Sequence, residues 1–293
     1  VTSGNFCAQI LFKPLPLGFS VAYIPKLDHV SAGLLSEPAI RSGLDDLCAK
    51  NKAAFLKVEP DVWRGSANDN FVPDGFRTSK RSIQPPNTIL VDLTGDEDQI
   101  LARMKQKFRY NIKLAVKKDI KVEESTDVIS FHRLMVETSR RDGFHSHSLD
   151  YYQKAFNLFH PPGYSALMMA NYLGEPVAGV MIFAIGKTAW YLYGVSSNEE
   201  RNRMPAYLAQ WEAMLWAKSK GCEVYDLWGI PDASEAELEA NFEKRSDDLW
   251  GVYRFKRGFG GKITRSVDSI NRVYSPLLYK IYTLRQKLRG IQD

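Results

Sequence analysis

The sequence predicts an α/β (α+β) fold of two tandem domains, each a mixed sheet flanked by helices. Three observations carry this. Runs rich in branched and aromatic residues alternate along the chain with runs of helical period. Residues 166–195 read as three successive strands, followed by a helix at 205–220 and a further strand at 224–228. The first third repeats that order in degraded form, which implies an internal duplication. The domains fall at 1–124, completed by a terminal helix at 268–293, and at 125–267.

In chain order, residues 20–24 are strand-like and stop at Pro25, 44–52 are helical, and 53–58 form a strand stopped by Pro60. Residues 82–86 lead extended into a branched strand at 88–93. The acidic turn 94–98 opens a helix whose apolar stripe is Ile100, Met104, Phe108, Ile112 and Ala115/Val116. Its other faces carry Arg103, Lys105, Lys107, Arg109, Lys113, Lys117, Lys118 and Lys121 against Asp119 alone. A solvated face is the ordinary outcome of such a run, but the excess is too one-sided for i, i+4 pairing, so an anion-binding face stays open.

Helices at 126–141 and 149–159 are separated by a loop containing His145 and His147. Strands at 166–172, 177–185 and 190–195 follow, with turns at 173–176 and 186–187. Two helices, a meander, a helix and a strand are the element order of a GNAT-like (acyl-CoA N-acyltransferase-like) domain. The stretch 275–289 is amphipathic, with Leu277, Leu278, Ile281, Leu284 and Leu288 apolar and Lys280, Arg285, Lys287 and Arg289 basic. Docking onto the first domain is the favoured role, with contact to a membrane surface as the alternative.

Two segments stand out for chemistry. Tyr225-Asp-Leu-Trp-Gly-Ile230 reads as a buried strand with Asp226 among large apolar residues. Tyr253-Arg-Phe-Lys-Arg-Gly-Phe-Gly-Gly261 sets Lys256 and Arg257 between aromatics before a glycine turn. A lysine held there can stabilise an oxyanion or a phosphate, while a hairpin with a solvated basic edge is the equal alternative.

Composition bounds the rest. The 293 residues are 44% hydrophobic and 25% charged, with net charge +5, a mildly basic balance that suits an anionic partner. Cys7, Cys48 and Cys222 are odd in number and far apart, as expected of free thiols in a reducing compartment. No apolar run is long enough to span a bilayer, and residues 1–7 lack the pattern of a signal peptide. The expected location is cytoplasmic, with a peripheral position on the inner face of the plasma membrane as a second expectation. The opening valine is expected of a chain that is truncated or begins at an alternative start.

There is no nucleophile elbow, phosphate-binding loop or zinc-protease motif, and no His/Cys cluster completes a metal site around His145 and His147. No metal and no cofactor is expected. A coenzyme A site on this fold needs a glycine-rich turn before the helix at 205–220. Residues 196–205 have no glycine there, and carry Glu199 and Glu200 instead. The acyl donor is therefore expected to be something else.

The chain resembles the Fem family of peptidoglycan aminoacyltransferases (FemABX-like). The resemblance runs through Ala22-Tyr-Ile-Pro25, Phe55-Leu-Lys-Val-Glu-Pro60, Ile83-Gln-Pro85 with Thr88, the basic helix 104–118, Glu137-Thr-Ser-Arg-Arg-Asp-Gly-Phe144, Trp190-Tyr-Leu-Tyr-Gly194, Tyr225-Asp-Leu-Trp-Gly-Ile230 and Phe255-Lys256. It implies transfer of an amino acid from aminoacyl-tRNA, as co-substrate, to the stem-peptide amine of lipid II or UDP-MurNAc-pentapeptide. By that resemblance Lys256 sits at the reacting ester, Phe255 positions the terminal adenosine, and Glu59 orients the attacking amine. Tyr151 and Tyr193 match tyrosines of the precursor cleft, although each taken singly reads better as a core tyrosine with its hydroxyl satisfied. His147 stands where one branch of the family has a diphosphate-gripping arginine. Lys26 keeps one cation of a family turn, Tyr23-Ile-Pro-Lys-Leu-Asp28, that here lacks its glycine, and Arg109 lies on the basic helix; both are expected to bind substrate. A segment with a tryptophan and a lysine is expected ahead of residue 1. Two other readings stay open: N-acylation of a different amine in exopolysaccharide or lipid metabolism, and a non-catalytic RNA- or membrane-surface-binding protein.

Overall fold

The computed structural model describes residues 2–66, 69 and 72–288, with the side chains of Ser3, Lys287 and Leu288 outside that description. The expected contributions of Lys287, Leu288 and Arg289 to the terminal helix fall outside it as well.

The chain opens with β1 (Thr2–Ser3), β2 (Phe6–Cys7), β3 (Leu11–Pro14) and β4 (Ser20–Leu27). It continues through α1 (His29–Leu34), α2 (Pro38–Lys50), β5 (Ala53–Pro60) and β6 (Arg77–Ser79). Asp28 caps α1 by accepting from the N–H groups of Val30 and Ser31, and Pro38 starts α2 where no intrahelical N–H partner is needed. Then come β7 (Asn87–Asp92), α3 (Glu97–Arg103), α4 (Gln106–Lys117), β8 (Lys121–Ser125), α5 (Val128–Asp142) and α6 (Leu149–Phe159). The meander is β9 (Ser165–Tyr172), β10 (Glu175–Ile185) and β11 (Thr188–Ser196). After it lie α7 (Pro205–Ser219), β12 (Val224–Asp226), α8 (Glu235–Asn241), α9 (Trp250–Lys256), β13 (Lys262–Arg265), β14 (Ser269–Val273) and α10 (Pro276–Leu288).

These elements form two compact units. The first holds residues 1–86 and 264–293, and the second 87–263. The first is built on a five-stranded sheet of order β3-β4-β5-β14-β6, in which only β4 and β5 run parallel. Its core gathers Ala22, Ile24, Leu35, Leu44, Leu56 and Val58. The second is built on a seven-stranded sheet of order β13-β7-β12-β11-β10-β9-β8, in which β11 and β12 run parallel and are bridged by α7. One face of that sheet packs on Phe108, Ile112, Leu208 and Met214 of α4 and α7, the other on Phe131, Met135, Tyr152 and Phe156 of α5 and α6. The mixed α/β fold with two mixed sheets is the one expected.

Several boundaries differ from expectation. The break does not fall at 124/125: β7 pairs with β12, so the segment with α3 and α4 belongs to the second unit. The basic helix is two helices. Asp96 and Gln99 close a capping box on α3, but Met104 and Lys105 turn extended and α4 restarts at Gln106. Lys121 is not helical at all; it opens β8, an edge strand with an almost wholly solvated face. Pro25 does not end β4, which continues to Leu27. The strand expected at 224–228 stops at Asp226, where Trp228 takes a left-handed φ of 62°. Residues 253–261 form no hairpin. Trp250, Tyr253 and Lys256 are buried along one side of α9, and the glycines follow it. Gly260 is required at its turn: φ is 84°, and a Cβ would lie 2.6 Å from the Arg103 carbonyl carbon.

Candidate active site

The second unit's site begins with the end of a strand pairing. β11 and β12 pair only through Thr188–Val224, Ala189–Tyr225 and Trp190–Asp226. Beyond that point the Asp226 carboxylate accepts the Trp228 N–H at 2.7 Å and the Thr88 hydroxyl, closing an Asx turn. The turn aims two carbonyls at one amine. Lys256 Nζ donates to Gly229 O at 2.8 Å and to Trp228 O at 3.2 Å, and lies 5.5 Å from the centre of the Tyr191 ring. Lys256 is only 4% exposed. Burial disfavours its charged form and lowers its pKa to about 7, with Asp226 pulling the other way.

Phe255, the neighbour of Lys256 on α9, is half-buried against Tyr207 and Phe259 at 5.2 Å from each. The next residue anchors the helix. Arg257 pairs with Glu239, which also accepts from Tyr253 Oη at 2.6 Å and lies 3.6 Å from Lys105 Nζ. The Arg257 hydrogen bond is the main reason the Glu239 carboxyl is held down at about 2.

An aromatic cluster lies on the other face of the same sheet. β11 contains a bulge: Met181 faces Tyr193 while Ile182 faces Tyr191, so Leu192 is the extra residue. As a result Leu192 and Tyr193 both pack on the α5–α6 side while Tyr191 packs on the opposite side. Tyr193 Oη and Tyr151 Oη are hydrogen-bonded at 2.8 Å. The His147 ring stacks on Tyr151 at 4.0 Å, and its backbone N–H donates to Tyr152 Oη at 3.4 Å. Burial raises the Tyr193 pKa, keeping the phenol neutral.

In the first unit Glu59 is 6% exposed and held on three sides. Tyr23 Oη donates to it at 2.7 Å, Gln84 N–H at 3.2 Å, and the Ile83 N–H donates as well. Two positions earlier on β5, Lys57 Nζ donates to Ser269 Oγ at 2.7 Å, to Ser79 Oγ at 3.4 Å and to the Arg81 carbonyl. One cation and one anion on alternate residues of a strand thus hold the same irregular segment, 79–84. A cavity of about 10 Å³, room for roughly one water, lies among Lys26, Glu59, Ser82, Gln84, Pro85 and Ser266. Lys26 has φ 44°, pairs with Asp61 at 3.5 Å and lies 5.2 Å from the Trp63 ring centre.

The family pattern of the FemAB proteins matches residues 71–173 and 171–287. The chain belongs to the FemAB family. It is an aminoacyltransferase of that family. Among its relatives, the lipid II:glycine glycyltransferase of Staphylococcus saprophyticus is 24% identical, over 94% of this chain and 82% of that protein. The Staphylococcus aureus enzyme of the same name is 22% identical over the same shares. In fold, this FemAB protein is similar to the crystal structure of FemX, with a TM-score of 0.81 at 21% identity over 94% of this chain and 86% of that one. It is also similar to a tandem GNAT protein of the clavulanic acid pathway, with a TM-score of 0.50 at 12% identity over 90% and 78%.

Within this FemAB chain the residues singled out from sequence fall into separate groups. Lys256 and Phe255 share α9; Tyr151, Tyr193 and His147 form one cluster; Glu59 and Lys26 line one cavity in the first unit. Arg109 joins none of them. Its guanidinium is turned onto the carbonyls of Ala102 and Met104, ending α3. It also lines a cavity of about 350 Å³ with Asp98, Leu101, Ala102, Ile112 and Lys113. In the loop before α7, Arg203 pairs with Glu200, donates to the Lys118 carbonyl at 3.2 Å and lies 3.7 Å from the Tyr172 ring centre. Sequence reading missed the carbonyls of Trp228 and Gly229, the ring of Tyr191 and the buried amine of Lys57. Of these only Lys57 left a signal, a lysine inside an otherwise apolar strand. Among the described residues no group of three or more His, Cys, Asp or Glu side chains is arranged to hold a metal.

Proposed function

We propose that this FemAB protein transfers an amino acid from aminoacyl-tRNA to the stem-peptide amine of a peptidoglycan precursor, lipid II or its UDP-linked forerunner. The observation that carries the reading is Lys256: a buried amine, pKa near 7, fixed by two backbone carbonyls where β11 and β12 part. The fold supplies no covalent nucleophile at this point, and attack on an activated ester needs none. It needs orientation and a donor for the developing oxyanion. Protonated Lys256 has three N–H bonds. Two are spent on Gly229 O and Trp228 O, which leaves one for the ester oxygen.

In this scheme the acceptor amine attacks the aminoacyl carbonyl, the oxyanion is held by Lys256, and the ribose hydroxyl of the tRNA leaves with a proton. Phe255, the residue before Lys256 on α9, offers a half-buried ring for the terminal adenine. The linked hydroxyls of Tyr151 and Tyr193, with the His147 ring stacked beside them, are assigned to the precursor, as are Glu59 and Lys26 in the first unit. The relatives named as lipid II:glycine glycyltransferases support this substrate class, and glycine is one candidate for the residue transferred.

The test uses the purified chain, a pool of labelled aminoacyl-tRNAs and either lipid-linked or UDP-linked muropeptide. Label entering the peptide is the expected result, and splitting the pool names the amino acid. Label that stays on tRNA with both acceptors would overturn the reading.

A further inference from the structure

We infer that the outer face of α10 is a docking surface for an anionic phospholipid bilayer. One side of this helix is already occupied. Leu278, Tyr279 and Tyr282 pack on Val21, Ala54 and Phe55, and the Phe55 ring lies 5.0 and 5.1 Å from those of Tyr279 and Tyr282. The opposite side carries a second apolar stripe. Leu277, Ile281 and Leu284 are 70%, 52% and 56% exposed. Their i, i+4, i+7 spacing puts them within about 60° of one another at 100° per residue, on one line along the helix. The centre of the inner set, Leu278, Tyr279 and Tyr282, lies about 140° from the centre of that stripe by the same count. A helix that merely covers the sheet needs one apolar face, not two.

The charge around the stripe selects the occupant. Lys280 and Arg285 are both exposed and flank the stripe on its two sides, about 70° from its centre in opposite directions. Pro276–Leu288 contains no aspartate or glutamate. An apolar line bordered on both sides by long cations lets the stems lie along acyl chains while the charges reach phosphate. Leu15 packs on the same Val21, Ala54 and Phe55 cluster as the inner face of α10, and Leu17, two residues on, is 90% exposed. Among the described residues no helix is long and apolar enough to cross a membrane, so attachment through α10 would be peripheral and reversible.

The proposal is independent of the transfer reaction, because it is tested with vesicles that contain no precursor. The whole chain is sedimented with vesicles of 30% phosphatidylglycerol in phosphatidylcholine, and with vesicles of phosphatidylcholine alone. Partition should be about 10-fold or more stronger onto the anionic vesicles, since each cation near such a surface contributes roughly fivefold. Leu277→Ser/Ile281→Ser/Leu284→Ser should weaken it by about 30-fold or more. Because these side chains are exposed, that variant should keep the wild-type unfolding midpoint. Lys280→Glu/Arg285→Glu should abolish the preference for the anionic lipid, and Lys256→Met should bind as the wild type does. No partition onto either vesicle, or partition that the triple serine variant retains, overturns the proposal. So does a concentration-dependent dimer in sedimentation velocity that the serine variant loses, for then a second copy covers the stripe.

Discussion

Replacing Lys256 by methionine should stop transfer and shift the balance of stability toward the variant as the pH falls. The two effects have one origin. An unfolded lysine titrates near 10.5, whereas the buried amine titrates at about 7. Between these values the unfolded chain holds a proton that the folded chain lacks, so wild-type stability rises with pH across that window. Below pH 7 both states are charged, and the folded state carries the full cost of a buried ammonium. At 1.36 kcal/mol per unit, that cost is about 5 kcal/mol at pH 6 and falls to about 1 kcal/mol at pH 10. Methionine matches the stem in length and removes the charge, but leaves the carbonyls of Trp228 and Gly229 without their donor, a loss of about 1–3 kcal/mol each that does not depend on pH. The informative quantity is therefore the difference between variant and wild type in urea at several pH values. It should shift by about 4 kcal/mol in favour of the wild type from pH 6 to pH 10. A flat difference would show that Lys256 keeps an ordinary pKa, and the account of a desolvated, half-protonated amine would fail. The same variant should lose about 10²-fold or more in kcat, the scale for one oxyanion donor.

Other expectations are more local. Glu59→Gln keeps the shape but offers one acceptor oxygen to three donors, so it should cost about 1–3 kcal/mol in urea unfolding, and an unchanged midpoint would contradict the contacts drawn around it. Tyr193→Phe removes the 2.8 Å bond to Tyr151 and should raise KM for the precursor by about 5-fold with little change in kcat; a kcat effect alone would take the pair out of acceptor binding. If exposed Lys107, Lys113 and Lys117 meet three tRNA phosphates, affinity should drop roughly 20- to 40-fold between 50 and 200 mM salt, and a flat response would remove the basic surface from tRNA binding. Gly260→Ala should destabilise the chain by more than about 1 kcal/mol, because its φ is positive and the added carbon meets Arg103 backbone; the melting temperature reads this directly.

Legibility in the sequence followed how local the deciding force was. β9, β10 and β11 were readable because each is a branched or aromatic run bounded by its own turn residues. β8 was not, since Lys-Val-Glu-Glu-Ser at a sheet edge buries almost nothing and shows no apolar alternation. The unit boundary was hidden for a different reason. β7 looks like the last strand of the first unit until it is seen pairing with β12, a contact set by residues more than 130 positions apart. At α9 two local signals competed. Buried residues three apart called for a helix, while Gly258, Gly260 and Gly261 called for a turn, and both are present in succession. Lys256 stood out for its aromatic neighbours, but nothing in the sequence reveals that two carbonyls converge on it. That depends on a left-handed φ at Trp228, set by the side chain of Asp226. The pairing of Tyr151 with Tyr193 likewise needed the bulge at Leu192, since regular alternation would have sent the second hydroxyl elsewhere.

The five-stranded sheet of the first unit has β14 between β5 and β6, so its central pairing joins residues 55–58 to 270–273. On a ribosome, β5 emerges long before its antiparallel neighbour has been translated. During that interval the whole of residues 87–263 is made, and it can acquire its own core first. For the same time β5 has an unpaired edge, and every one of its eight residues is of the kind that ends up buried. Such an edge invites pairing with other chains. A ribosome-bound chaperone that shields residues 53–60 would therefore matter more for the yield of this protein than one acting on the finished chain, and lesions in residues 269–273 should surface as aggregation rather than as a mild loss of stability.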